Sequence, residues 1–572
     1  MSRKTEIIRK KNVVGPSPQK KKKTAYFFLP AILLLTSLAY SGSLKNGFLA
    51  WDDLDFVVNN VYIQHLSFAN LTRFFTTAQL YMYNPLMLLS FSIDYMIAGS
   101  NPAMFHFTNL FLHLCNIVLT FYFIRQLTHR NDVGLLTALF FAINPVNVDT
   151  TAWISTRGNL LFTVFYLISL ILYLVYLKNR KTSYLVGSMA AFILSCFSKS
   201  MAVTLPLVLL VLDFYLNRKI TLRDILQKIP FFIIALIFGM LAMYFRSDAE
   251  AAVLPTQYSF FDRIFMFTYS VLIFLIKLLA PLNLSAIGDY PLKTGGFLPV
   301  LYYLSPLILA VIVFLINRLS KNKLFIFSAL AFFLVTISLN LLPLLEDSYL
   351  ASRYAYLPSI GAGLAVSFLI TEFSKSSFYL KSHKIIISMG VIIVLSFSFL
   401  TWQRVHVWES TLTVFDDILK KKPNNIFAYN SRGIAKYEMQ DVAGSISDYS
   451  KAIEINPKYH AAYYNRAISL FETSQIQAAL NDYNKAIELN PSFAKALNGR
   501  ATLYMESLNN LPAAISDLSK AIALNPEFAQ AYYNRGIAFA KMNDFDKACQ
   551  DWQKVQSLGF SQADDFLGKY CR

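Results

Sequence analysis

Charge is what this chain has least of. Asp, Glu, Lys and Arg together make up 15% of its 572 residues, whereas 55% are hydrophobic and 15% aromatic. With a mean hydropathy of +0.44, that composition excludes an ordinary soluble protein of this length. Acids are scarcest where bases gather: residues 1–23 hold nine Lys or Arg against the single acid Glu6. The basic run has no interleaved aromatics and the chain no nucleic-acid reading module, so the net charge of +18 does not point to nucleic acid. A disordered tail touching anionic lipid accounts for it. No small-residue cleavage pattern follows the first apolar run, which is therefore read as an anchor. Cysteine is also rare. Of four, Cys115 and Cys196 lie in apolar runs and read as packing residues, and none of the four shows metal-ligand spacing. Cys549 and Cys571 would make a disulfide in an oxidising compartment, or remain two reduced packing residues in a reducing one.

Long apolar runs are what the chain has in their place. They recur at about 25–44, 103–124, 133–146, 159–177, 183–197, 200–216, 230–246, 264–280, 299–317, 324–344, 354–372 and 385–402, and then stop. Each approaches or exceeds the length that spans a hydrocarbon core. The basic loops "RQLTHR" (125–130), "KNRK" (178–181) and "NRK" (217–219) share the side of the basic N-terminus, as the positive-inside rule requires. Twelve spans would put "NRLSKNK" (317–323) on the wrong side, so one window is expected to lie along or re-enter the membrane. The segment 264–280 is the candidate, which leaves about eleven spans. The first outer loop (about 45–102) and the C-terminal region then share the non-cytoplasmic side.

The C-terminal third announces itself by repetition. Pro423, Pro457, Pro491 and Pro526 are spaced by 34, 34 and 35 residues, and "DYSKAIEINP", "DYNKAIELNP" and "DLSKAIALNP" recur in phase. That is the period of tetratricopeptide repeats, which bury a core only by stacking. Four repeats are expected over 425–560, after a connecting helix at 403–424 and before a capping helix at 561–572. The extra residue of the third repeat is placed in its inter-helix turn. Arg432, Arg466, Arg500 and Arg535 share one repeat position. They either form a basic groove or pair locally with acids, and local pairing is favoured. Residues 1–24 form a basic cytoplasmic tail and 25–402 a polytopic membrane domain, so the fold class is all-α.

Ionisable groups that a membrane domain retains are functional candidates. At expected outer ends and loops these are Asp52, Asp53, Asp94, His106, Asp149, Arg157, Lys199 and Arg353. Carboxylates serve as bases, and Arg or Lys binds phosphate.

The runs "WDDLDFVVNN", "YNPLMLLSFSIDYMIAGSNPAMFHFTNLFLH", "FAINPVNVDTTAWISTRGNLLFTVFYL", "SKSMAVTLPLVLLVLDFY" and "SRYAYLPSIGAGL", followed by the repeats, resemble the transmembrane and tetratricopeptide-repeat O-mannosyltransferases and their bacterial relatives. The resemblance implies a GT-C glycosyltransferase fold that moves a sugar, mannose or another hexose, from a polyprenyl-phosphate carrier to a protein or glycan hydroxyl outside the cytoplasm. It implies Asp52 and Asp53 as the catalytic acids, Asp52 the base and Asp53 its support. Arg157, Lys199 and Arg353 become donor-phosphate ligands, and His106, Tyr354 and Asp149 further substrate-binding candidates. No cofactor is required by this reading, although adjacent aspartates also suit a divalent cation. The repeats would recruit the acceptor or a protein partner. The expected location is a bacterial inner membrane with periplasmic repeats, or alternatively the endoplasmic reticulum with lumenal ones. Where the family carries other titratable residues, this chain has Asn144, Asn147, Ser200 and Ser352. A polysaccharide ligase or polymerase acting on lipid-linked glycans, and a non-catalytic membrane-anchored repeat scaffold, are the alternatives.

Overall fold

The computed structural model describes residues 18–216, 222–246, 258–288, 290–319, 322–341 and 350–571. Most of the basic tail, the "NRK" loop and the stretch 247–257 before the doubtful segment lie outside the described residues. The chain divides into two compact units, Met1–Ser410 and Thr411–Arg572. The described residues are helical, apart from loops and two isolated β-bridges.

The first unit contains α1 (Pro18–Tyr40), α2 (Phe68–Thr76), α3 (Pro85–Ala98), α4 (Pro102–Thr128), α5 (Asn131–Ala142), α6 (Val148–Ala152), α7 (Arg157–Asn179) and α8 (Thr182–Ser198). After them come α9 (Leu205–Tyr215), α10 (Leu222–Leu226), α11 (Ile229–Arg246), α12 (Phe260–Leu279), α13 (Val300–Leu319), α14 (Lys323–Leu341), α15 (Pro358–Phe373) and α16 (Ser377–Val407), the last broken at Ser382. Three Asn-Pro dipeptides set local starts. Proline fixes φ at the first position of α3, of α4 and of the short turn Pro145–Asn147. In two of them the preceding side chain caps the turn: Asn101 accepts from Ala103 N and Asn144 from Val146 N, each at 3.1 Å.

Among the described residues, six helices are long and apolar enough to cross a membrane, or seven if the pair Asn131–Ala142 and Pro145–Ala152, bent by 55°, is one span. The count by length is thus short of the eleven expected. The difference lies in apolar helices of 10–17 residues such as Thr182–Ser198 and Pro358–Phe373. Helix α12 has 20 residues but carries Asp262, Arg263 and Lys277, and exposes Phe260, Phe261 and Ile264 while burying Phe274 and Leu278.

Small residues let these helices approach closely. Ser169 and Ser188 donate to each other's carbonyls at 2.8 Å, joining α7 to α8. A methyl group added at Gly361 would lie 2.7 Å from the Ala329 carbonyl, so α15 meets the α14 backbone there. The largest core cluster includes Phe121, Tyr166, Leu209, Phe332 and Ile360.

The second unit begins with α17 (Thr411–Lys421). Four helix pairs follow: α18 (Ile426–Glu438) with α19 (Val442–Ile455), α20 (His460–Glu472) with α21 (Ile476–Leu489), α22 (Ala494–Glu506) with α23 (Leu511–Leu524), and α24 (Ala529–Lys541) with α25 (Phe545–Ser557). Helix α26 (Asp564–Tyr570) closes the stack. The third inter-helix turn, 507–510, is one residue longer than the others. The recurrent arginines pair locally with acids. Arg432, Arg466, Arg500 and Arg535 each grip an acid of the second helix in their own pair, Asp448, Asp482, Asp517 and Asp551, through Nε and Nη2 at 2.6–2.9 Å. Through Nη1 the same arginines reach back sixteen residues to Asp416, Ser450, Asn484 and Ser519. Asp416 lies on α17, so α17 occupies the place of a second helix in a preceding half-repeat. Cys549 and Cys571 are joined, with their Cα atoms 5.6 Å apart, and hold α26 against α25.

Candidate active site

The acid loop enters from α1 and turns at Trp51. Asp53 has 0% exposure. One carboxylate oxygen accepts from Leu49 N at 3.0 Å, and the other accepts from both the backbone N (3.0 Å) and the hydroxyl of Ser155. Burial pushes its carboxyl up to about 6, against the opposing pull of these hydrogen bonds. Asp52, one residue earlier, is only half-buried. The two neighbours therefore differ in what they can do: Asp53 fixes the loop, and Asp52 keeps access to solvent.

Ser155 belongs to a short turn, Ile154–Thr156, that leads into α7. Beside it, Trp153 lies against Trp51, tilted by 31° with ring centroids 4.5 Å apart, and stacks on Trp408 at 5.4 Å. The Arg353 guanidinium, from the turn Ser352–Ala355 before α15, lies 5.5 Å from the Trp153 ring and donates to the Ala286 carbonyl at 3.2 Å. A single indole thus joins the acid loop, the entry to α7 and Arg353. Lys199, half-buried, ends α8. Its neighbour Phe197 packs on Phe75 (5.3 Å) and Tyr83 (6.3 Å) of the first loop, and the same loop donates from Gln79 to the Asp55 carbonyl at 3.0 Å. These contacts tie the segment that carries Lys199 to the first loop.

Other expected site residues are spoken for. Arg157 is not a phosphate ligand in this structure. It has 0% exposure, pairs with Asp94 at 2.5 Å, and donates to Asn109 and the Phe105 carbonyl at 2.7 Å each. Its guanidinium also lies 4.5 Å from the Phe91 ring. Asp149 is likewise a structural anchor, since one buried oxygen accepts from Arg404 Nε at 3.0 Å and Trp408 Nε1 at 2.9 Å. His106 and Tyr354 are buried in the packing. Sequence reasoning missed Trp51, Trp153, Trp408, Ser155 and Arg404. The one available signal was a tryptophan beside each quoted motif, in "WDDLDF" and "AWIST".

Among the described residues no three of His, Cys, Asp and Glu converge as a metal-holding group. Asp53 in particular uses both oxygens on N–H and O–H donors.

Residues 84–245 match the family model of dolichyl-phosphate-mannose-protein mannosyltransferases. Tetratricopeptide-repeat models match residues 460–493, 507–543 and 530–558. The chain is similar to a protein O-mannosyl-transferase of Caenorhabditis elegans, 23% identical over 390 residues that cover 66% of this chain and 54% of that protein. A human protein O-mannosyl-transferase is 24% identical over 430 residues, with coverages of 66% and 45%. The chain thus spans about half the length of the curated relatives it matches. Among solved structures, the crystal structure of MamA is 24% identical with a TM-score of 0.25, and the match covers 27% of this chain and 90% of that one. With a mannosyltransferase-type membrane region followed by tetratricopeptide repeats, the chain is similar in its order of parts to the transmembrane and tetratricopeptide-repeat O-mannosyl-transferases.

Proposed function

We propose that the protein is a membrane glycosyltransferase that moves a hexose, mannose by analogy with its relatives' names, from a polyprenyl-phosphate carrier to a protein or glycan hydroxyl on the non-cytoplasmic face. The observation that carries this reading is the meeting of the acid loop and Arg353 on Trp153, at 4.5 and 5.5 Å. It brings the loop that carries the partly exposed Asp52 and the Arg353 guanidinium to one indole. Asp52 takes the proton of the acceptor hydroxyl as its oxygen bonds to the anomeric carbon. The bond from that carbon to the phosphate oxygen breaks, and its electron pair leaves with the phosphate. Arg353, with Lys199 on the flank, stabilises the charge that develops there. Asp53 acts through position, holding the loop to Ser155.

The basic tail and basic loops support a cytoplasmic N-terminus. The Cys549–Cys571 bond supports repeats in an oxidising compartment, which in this reading is a bacterial periplasm. The repeat stack, with its basic row locally neutralised, suits recruitment of the acceptor or of a partner protein. The test is transfer of labelled mannose from polyprenyl-phosphate mannose to endogenous acceptors, in membranes carrying wild type or Asp52→Asn at matched abundance. Labelling that depends on the protein and disappears in Asp52→Asn is expected. Labelling indifferent to the protein or to Asp52 would move the scaffold reading ahead.

A further inference from the structure

Helices α12 and α13 begin side by side. Asp262, in the first turn of α12, pairs with Lys293 at 2.8 Å, and Tyr258 donates to the Pro291 carbonyl at 2.7 Å. The start of α12 is thus fastened to the segment that leads into α13. Further along, Phe265 lies against Tyr303 at 4.8 Å, Thr268 and Ser305 share a hydrogen bond at 2.8 Å, and Leu275 and Leu309 pack on one core cluster. The two helices therefore run the same way. Residues 280–299 join the end of the first to the start of the second, and none of the described residues in that stretch is helical. Helix α13 is long and apolar enough to cross a membrane. If α12 crossed beside it in the same direction, this irregular stretch would have to recross the hydrocarbon, with Leu282 66% and Leu292 84% exposed. Irregular backbone facing lipid does not persist, because nothing there satisfies its N–H and C=O groups.

We infer that residues 258–300 form a re-entrant unit whose rim is seated in one leaflet of the bilayer: α12 enters, and its return segment leaves, on the side where α13 starts. The rim consists of Phe260, Phe261, Leu292, Phe297 and Val300, which are 69–84% exposed. Its occupant is lipid. Val300 opens α13, and the rim continues into that helix's exposed residues Leu301, Leu304 and Leu307. From Arg318, in the last turn of α13, back to Val300 a helix rises about 27 Å, close to the ~30 Å thickness of the hydrocarbon core. Leu292 and Phe297 then lie where acyl chains meet headgroups, the depth at which tyrosines gather. Tyr258, Tyr302 and Tyr303 share a cluster there with Leu298, next to Phe297. The hairpin tip between Leu292 and Phe297 turns at Gly295 and Gly296, both at positive φ. This seat bears on the proposed site, since the return segment offers the Ala286 carbonyl to Arg353 at 3.2 Å. Phe274 and Leu278 of α12 also share a core cluster with Tyr354 and Ala355.

The experiment uses full-length protein in sealed membrane vesicles, with labelling mapped peptide by peptide in a mass spectrometer so that the native cysteines stay in place. Thr294→Cys, at the exposed hairpin tip, marks the side on which α13 starts, and Leu282→Cys marks the end of α12. Each variant meets a membrane-impermeant maleimide from one face, from the other, and again in detergent to establish reactivity. Leu282→Cys should label only from the face that labels Thr294→Cys, or only in detergent. Labelling from the opposite face would make α12 a span and overturn the inference. If Leu282→Cys fails to accumulate, Leu279→Cys, 56% exposed, carries the same expectation. The rim is read in the wild type, in nanodiscs of phosphatidylethanolamine and phosphatidylglycerol doped with a phospholipid that carries a diazirine high on its acyl chain. Cross-links should fall on the peptides that hold Phe261 and Phe297. Their absence, while the exposed Ile385 and Leu395 face of the apolar helix α16 is cross-linked, would overturn the lipid seat. Both readouts compare positions within one chain and need no sugar donor, so they stand or fall apart from the glycosyl-transfer reading.

Discussion

Replacing Arg157 with methionine decides whether a buried guanidinium at the entry to α7 is scaffold or ligand. The side chain has 0% exposure and its partner Asp94 3%. Beyond that pair, it donates to Asn109 and the Phe105 carbonyl at 2.7 Å. Methionine keeps the unbranched apolar stem and removes the charge. It leaves Asp94 as a buried carboxylate, still accepting from the Thr108 hydroxyl at 2.8 Å but without its counter-charge. Breaking a buried pair from one side costs about 3–5 kcal/mol. Taking about 3 kcal/mol, and a shift of roughly 2–4 °C per kcal/mol for a large domain, the apparent unfolding temperature should fall by about 6–12 °C. Unfolding in detergent is commonly irreversible, so the comparison holds scan rate and protein concentration fixed. The double variant Asp94→Leu with Arg157→Met removes both charges together and should recover most of the loss. Melting by fluorescence-detected size exclusion, run on wild type, the single variant and the double variant, completes the cycle. A single variant within about 1 °C of wild type, or a double variant no better than the single, would refute the scaffold role. A donor-phosphate role would instead leave the melting temperature alone and raise KM for the donor.

The same geometry yields further expectations. Asp53 has its carboxyl raised from 3.8 to about 6, so between about pH 4 and 6 the native state holds a proton that the unfolded chain has lost. Wild type should therefore lose stability as pH rises through that window, by on the order of 3 kcal/mol, relative to Asp53→Asn; melting at pH 4.0 and 6.5 reads the difference, and parallel behaviour of the two proteins would contradict it. In the repeats, Arg466→Ala strips Asp482 of a two-pronged partner with side-chain exposures of 22% and 9%, which should cost about 1–3 kcal/mol. Loss of the exposed Lys485–Glu488 pair should cost under about 0.5 kcal/mol, and chemical denaturation of both variants compares them. Gly536→Ala would set a methyl group 2.5 Å from Trp552 Nε1 and should destabilise by about 1–3 kcal/mol, whereas Gly568→Ala, with open space around it, should not. Cys571→Ser opens a loop closed over a 22-residue separation and should lower stability by about 3 kcal/mol, an effect that reducing agent added to wild type should reproduce.

Local chemistry was legible in the sequence wherever neighbours in the chain decide the outcome. The repeat period foretold the four helix pairs, and the extra residue of the third pair sits in its turn. The recurrent arginines pair with acids sixteen or seventeen residues on, a separation short enough to read from a consensus. The candidate site is different in kind. Trp51, Trp153 and Trp408 are brought together over one hundred and then more than two hundred residues, and nothing in the composition of three separate loops announces a ladder. Nor does sequence say whether an ionisable residue at the end of an apolar run points outward or inward. Arg157 opens α7 and Arg353 lies in the turn before α15, and both follow Ser or Thr, yet one is sealed against Asp94 and the other is half-buried against an indole. Span count differs for another reason: α8 and α15 are apolar runs in the sequence but form helices too short to count as spans by length.

Burial also changes the meaning of the positions at which this chain departs from its relatives' runs. Asn144 and Asn147 stand where titratable side chains are usual. Here Asn144 caps its own turn and donates to the Leu278 carbonyl at 3.0 Å, while Asn147 donates to the Phe141 carbonyl at 2.8 Å. Both amides are buried and satisfy the broken backbone between α5 and α6, a task that carries no proton. Asp149, two residues on, spends its charge on Arg404 and on the indole of Trp408, and Ser352 is buried beside Arg353. These positions form the frame behind the Trp153 ladder. A charge placed there would need a new buried partner, since an unpaired ion in such a setting costs several kcal/mol. Neutral amides and a serine are what that frame can hold at lowest cost. In the proposed reading the chemistry falls to Asp52, Lys199 and Arg353, each of which keeps some exposure. Activity should therefore be more sensitive to the conservative changes Asp52→Asn and Arg353→Lys than to Asn144→Ser or Asn147→Ser, whose effects should appear first in melting temperature.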